Sequence, residues 1–166
     1  MPSISRVAIL WNPDHVDPEF RETQLASQSL GVQLISIQVR QPGDFEPAFR
    51  STERERAQAL IVLTSRLVFS NRQLIGGFIE RSGLILVGVP SWLMELGALL
   101  TYGPDLAEMN RRAAIYVDKI FKGARPADLP MEQPSAFNLH LNLSAAKRLG
   151  IRVPASVLAR AASIID

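Results

Sequence analysis

No cysteine occurs anywhere in the 166 residues. That absence excludes a disulfide framework, a thiolate metal site and a cysteine nucleophile, though it does not fix the compartment. Histidine is nearly as scarce, with only His15 and His140. No stretch reaches the ~18 consecutive apolar residues from which a membrane-spanning helix is read. The first residues carry neither a basic n-region nor an apolar h-region, so the sequence as written is expected to have no secretory signal. An excess of one charge is also lacking: 18 Lys and Arg against 16 Asp and Glu leave a formal net charge of +2. Basic residues scattered among acids at that balance leave no footprint for nucleic acid.

What remains has the composition of an ordinary folded domain, with 47% apolar and 20% charged residues. A chain of this length has room for one core. Along it, unbroken apolar runs alternate with amphipathic stretches. "VAILWN" at 7–12 reads as a strand, 18–31 as a helix ending at Gly31, and "VQLISIQV" at 32–39 as a second strand. A turn and helix follow over 42–57, a strand "ALIVLT" over 59–64, a helix over 71–83 and a strand "LILVGV" over 84–89. A shorter apolar piece, "GALLTYG", precedes a long helix over 105–122 that Gly123 closes. The tail holds a weakly alternating "FNLHLN", then "LSAAKRLG" and "PASVLARAASIID". Continuous apolar runs mark strands buried on both faces, and a strand-to-strand spacing of roughly 20 to 30 residues fits βαβ units. The expected fold is therefore α/β: a three-layer open parallel sheet with helices on both faces.

In such sheets ligands bind outside the carboxyl ends of the strands, so the residues at those ends are the candidates. They are Asn12 after the first strand, Thr64, Ser65 and Arg66 after the third, Pro90, Ser91 and Trp92 after the fourth, and Thr101, Tyr102 and Gly103 after the fifth. Small polar groups there would orient a compact organic ligand while an aromatic ring covers its apolar part. Each position also has a plain structural reading. Asn12 with Pro13 and Asp14 makes a turn and helix cap, Trp92 a core or interface aromatic, and Arg66 a solvated residue at a helix start. As a ligand residue, Arg66 would permit a carboxylate, which a guanidinium holds with paired hydrogen bonds.

Catalytic constellations are missing. Neither GxGxxG after the first strand nor a Walker-type GxxxxGK occurs, which disfavours nucleotide and dinucleotide chemistry. There is no GxSxG elbow to make Ser65 or Ser91 a nucleophile. His15, among Asp14, Asp17 and Glu19, reads as a solvated helix start rather than a metal site. No catalytic residue, metal or cofactor is expected. A hydrolase reading would require Ser65 within hydrogen-bond reach of His140. A flavodoxin- or response-regulator-like module would need phosphate-binding turns or an acidic pocket, and Asp14 is the only acid near a strand tip.

Three segments carry a resemblance: "VAILWNPDH" at the start, "LGVQLISIQVRQPGDFEPAF" in the first third, and "GALLTYGPDLAEMNRRAAIYVDKIFKGARPADLP" running on to "NLSAAKRLGIRVPASVLARA". Together they resemble the C-terminal half of the ABC transporter substrate-binding protein family that includes tryptophan-binding receptors of the type I periplasmic binding protein kind. The order and spacing of the last block are its most specific part.

The resemblance implies a Rossmann-like lobe of a two-lobe receptor that holds a small organic solute, such as an amino acid, and delivers it to an ABC transporter permease. It implies a periplasmic or membrane-anchored location. It also implies a division into a lobe at 1–104, a crossover helix at 105–130 that would pack on a first lobe, and a return segment at 131–166. Carried over residue by residue, it points to the same positions: Asn12, Ser65, Arg66, Ser91, Trp92, Tyr102 and Gly103. On this division the apolar positions of the crossover helix, among them Leu106, Met109, Val117, Ile120 and Phe121, would lack a covering surface. Burying a few hundred Å² there at roughly 25 cal/mol per Å² is worth several kcal/mol, so a homodimer is expected.

Overall fold

The computed structural model describes residues 4–15 and 18–166. Five strands run parallel: β1 (Arg6–Trp11), β2 (Gln33–Gln38), β3 (Ala59–Val62), β4 (Ile85–Gly88) and β5 (Leu100–Pro104). β6 (Phe137–Asn142) lies antiparallel to β5, and β7 (Ser163–Ile165) parallel to β6. The strand order is β2-β1-β3-β4-β5-β6-β7. The helices are α1 (Glu19–Ser29), α2 (Phe45–Arg54), α3 (Arg66–Ser70), α4 (Arg72–Ser82), α5 (Leu106–Phe121), α6 (Leu143–Arg148) and α7 (Ala155–Leu158).

The sequence pattern lets the core be read strand by strand. Ala8 and Leu10 of β1, Leu60 and Val62 of β3, and Leu86 of β4 belong to one cluster with Phe45 and Phe49 of α2, Ile75 and Phe78 of α4, and Leu93. Phe49 and Phe78 stack with centroids 4.3 Å apart. The alternate residues Val7, Ile9, Ala59 and Leu63 are buried too. β1 and β3 are thus covered on both faces, which is why their sequences show no alternation. Truncating a fully buried Phe45 or Phe78 to alanine would cost about 3–5 kcal/mol.

The antiparallel β6 departs from the all-parallel expectation while the exposed α5 agrees with the expected crossover helix, and both follow from where the chain goes after β5. That strand ends at the carboxyl edge of the sheet with Pro104, and Asp105 starts α5 by accepting a hydrogen bond from the Glu108 N–H at 2.9 Å. The chain comes back along α5: Tyr116 Oη donates to the Pro130 carbonyl at 2.7 Å, and Arg112 pairs with Glu132. It re-enters the sheet at the same edge, with Phe137 opposite Pro104. A strand that starts at the carboxyl edge must run antiparallel to β5. The last residues add β7, a strand the apolar pattern of "ASIID" is too short to declare.

The second feature is α5 itself. Its sequence is a good helix: an Asp N-cap, an i,i+3 pair between Glu108 and Arg111 at 2.8 Å, Lys119 in the last turn, and Gly123 in the left-handed region at φ 100° as a stop. None of its residues is buried. Leu106, Ile115, Val117 and Phe121 are 60%, 53%, 49% and 85% exposed. An amphipathic helix with its apolar side in solvent is a surface without a covering body among the described residues.

Candidate functional site

The carboxyl ends of β3, β4 and β5, the start of α5 and the facing residues of β6 enclose a cavity of about 430 Å³. Its apolar walls are Val89, Pro90, Pro104, Leu106 and Ala107, and its polar lining is Thr64, Ser91, Asp105, Asn138 and His140. Gly103 completes it. This volume falls within the usual range for small-molecule sites, about 300–1,000 Å³.

The antiparallel pairing of β5 and β6 builds the polar side. Asn138 stands opposite Gly103 and His140 opposite Thr101. Directly opposed residues share a sheet face, so Thr101, Gly103, Asn138 and His140 lie on one side. Gly103 is required by close approach: a β-carbon there would sit 2.6 Å from the Val89 carbonyl oxygen and 2.9 Å from Val89 Cγ1. Asp105 is held from several directions. Its own N–H donates to the Ala136 carbonyl at 2.9 Å, and its carboxylate accepts from the Glu108 N–H and from the Asn138 side chain. These hydrogen bonds, that from Glu108 first, hold its pKa below the ordinary 3.8, so it is ionised at neutral pH. His140 Nδ1 lies 2.6 Å from Ser163 Oγ of β7, which fixes the ring between the last two strands. Thr101 is fully buried, and its hydroxyl has no hydrogen-bond partner among the described residues.

Of the positions chosen from the sequence, Thr64, Pro90, Ser91 and Gly103 line this cavity. The others stand elsewhere. Asn12 Oδ1 accepts from the Asp14 N–H at 2.9 Å, closing the turn after β1. Ser65 is buried, and its hydroxyl caps α3 by accepting from the Val68 N–H at 3.2 Å. Arg66 is exposed on α3, outside the cavity lining. Trp92 packs on the core cluster, edge-on to Phe69 with centroids 5.5 Å apart. Tyr102 points to the opposite sheet face from Gly103 and stacks on Phe137 at 5.9 Å. The Ser65 hydroxyl is thus engaged by Val68, and the hydrogen bond of the His140 ring goes to Ser163. Sequence reasoning missed Asp105, Asn138 and His140. Asp105 was legible as an acid directly following the last strand end, whereas Asn138 and His140 enter through strand pairing that no local pattern announces.

A second cavity of about 570 Å³ lies among α4, the short helical turn Ser91–Leu96, Gly97 and Arg148. It is the larger of the two, but it touches no strand carboxyl end, and the chemistry of the smaller one is better defined.

A mostly parallel α/β sheet with a cavity outside its strand ends defines a ligand-binding α/β domain in the general sense. Residues 1–165 match the family described as ABC transporter substrate binding protein, and the chain belongs to that family. A Rickettsia prowazekii protein described as uncharacterised is 22% identical over 146 residues, covering 86% of this chain and 47% of that protein. Among solved structures, a conserved domain protein from Vibrio cholerae is similar with a TM-score of 0.88 and 23% identity, over 99% of this chain and 56% of that one. An ABC domain from Streptococcus pneumoniae in complex with L-Trp is similar with a TM-score of 0.87 and 19% identity, again over 99% and 56%. The chain therefore spans about half the length of these relatives, and its fold is that of a periplasmic-binding-protein domain.

Proposed function

We propose that this chain is the second lobe of a solute-binding receptor for an ABC importer and holds a small organic solute, such as an amino acid, at the carboxyl ends of its parallel strands. The observation that carries this reading is the 430 Å³ cavity, apolar on one side and lined by Ser91, Asp105, Asn138 and His140 on the other. The L-Trp complex of the streptococcal neighbour supports a ligand of amino-acid size. In this reading the protein is a binding component and not an enzyme, its delivery partner is a membrane permease, and it works outside the cytoplasm or anchored at the membrane. No helix among the described residues is long and apolar enough to cross a membrane.

The division of labour within the chain follows the same proposal. Residues 1–104 form the lobe, 105–130 cross toward a second α/β body, and 131–166 return. The exposed apolar side of α5 is the docking face for that body, which in the isolated chain is a second copy. A receptor of this kind clamps its ligand between two walls, so one wall alone binds weakly, in the millimolar range, where ΔG° is about −4 kcal/mol.

Native mass spectrometry of the purified chain tests both statements in one spectrum. The expected result, with L-tryptophan supplied at millimolar concentration, is a dimer carrying the added mass of the amino acid. An empty monomer at micromolar concentration would count against both statements.

A further inference from the structure

We infer that the wall made by Asp105, Asn138 and His140 reads the amino end of an amine-bearing solute and leaves any carboxylate to be met from across the cleft. The inference rests on the solute-binding reading above and names the class of solute.

Charge at the site decides the sign. Among the described residues, the cavity lining contains one carboxylate and no lysine or arginine. The nearest arginine of α5, Arg111, is already paired with Glu108. Arg66, the cation the sequence offers for a ligand carboxylate, is outside the lining. The start of α5 would by itself favour an anion, with roughly half a positive charge from the helix dipole. Asp105 occupies that position as N-cap with a full negative charge, so an incoming carboxylate meets net repulsion there.

Hydrogen-bond capacity points the same way. A carboxylate has about four acceptor sites, and the Glu108 N–H at 2.9 Å with the Asn138 side chain leaves Asp105 with acceptor capacity to spare. Asn138, having donated to Asp105, keeps its amide oxygen as an acceptor. These spare acceptors suit an ammonium with its three donors. Val89, Pro90 and Leu106 give the body of the solute an apolar wall.

Backbone-amide NMR titrations of the chain with three probes test this: phenethylamine, 3-phenylpropionate and L-phenylalanine. Phenethylamine and L-phenylalanine are expected to shift the amides of Gly103, Asp105, Asn138 and His140. 3-Phenylpropionate is expected to bind roughly 10- to 100-fold more weakly, the worth of a charge-assisted hydrogen bond. Asp105→Asn keeps a competent N-cap, so the Glu108 amide stays protected while the charge is lost, and phenethylamine should fall to the level of 3-phenylpropionate. Asp105→Ser, a second neutral cap, should give the same result. Equal or tighter binding of 3-phenylpropionate, or an amine preference that survives in a folded Asp105→Asn, overturns the inference and leaves the solute-binding reading standing. No shift from any of the three probes overturns the solute-binding reading at this cavity, and the inference falls with it.

Discussion

Replacing Gly103 with alanine tests whether β5 and the end of β4 meet as closely as the site requires. The new β-carbon would lie 2.6 Å from the Val89 carbonyl oxygen, well inside van der Waals contact. That oxygen is backbone and cannot rotate away, so the strand end must move. The backbone φ of Gly103 is outside the left-handed region, which leaves steric overlap as the only cost. Overpacking of this kind costs about 1–3 kcal/mol. For a chain of this size a kcal/mol shifts the melting temperature by about 2–4 °C, so a loss of roughly 2–12 °C is expected in a thermal melt followed by far-UV circular dichroism. Gly43 is the control: a β-carbon there meets nothing within 4 Å, and its φ needs no glycine. Gly43→Ala should melt with the wild type or gain about 0.4–1 kcal/mol. A Gly103→Ala variant as stable as the wild type would refute the described approach of Val89 to β5, and with it the geometry of that cavity wall.

Other consequences follow from individual contacts. Asn142, buried at the end of β6, caps α6 by accepting from the Ala145 N–H at 2.8 Å and the Ser144 hydroxyl at 2.9 Å. Asn142→Ala should cost about 1–2 kcal/mol, read as a lower urea midpoint at unchanged slope. On α5, Val117→Ser with Ile120→Ser should leave the stability of dilute monomer within about 0.5 kcal/mol per site while weakening self-association at least tenfold, as followed by analytical ultracentrifugation. The pKa of Asp105 is depressed in the fold, so its contribution is fully present above 3.8 and is lost as pH falls through the lower folded value. Its carboxyl carbon should therefore titrate with a midpoint below 3.8 by NMR, and a midpoint at or above that value would contradict the capping geometry.

The parallel half of the molecule was legible because burial writes itself into the sequence. "VAIL" and "ALIV" show no alternation since helices cover both faces of β1 and β3, and the helix expected over 105–122 is α5 to within a residue at each end. Ser91 and Gly103 lie at the cavity for the same reason, as strand-end residues on a sheet whose open edge follows from its topology. The remaining choices reflect a rule that fixes the edge but not the side-chain direction. Tyr102 and Gly103 are neighbours on β5 and face opposite sides. Ser65 is drawn into capping α3, a five-residue helix too short to have a period of its own. His140 reaches the cavity only because β6 pairs antiparallel with β5, a non-local event decided by where the chain returns after α5. The exposure of α5 was expected from the family resemblance, whereas its amphipathic pattern alone would have placed it against this sheet.

A small organic solute bound outside the carboxyl ends of β3, β4 and β5 must perturb the backbone amides there. Backbone-amide shifts of the chain titrated with L-tryptophan test this binding most directly. Saturable shifts are expected at Thr64, Ser91, Gly103, Asp105, Asn138 and His140, with none at Gly76, Gly77 or Arg148 around the second cavity. Shifts centred on that second cavity, or none at all at millimolar L-tryptophan, would contradict it.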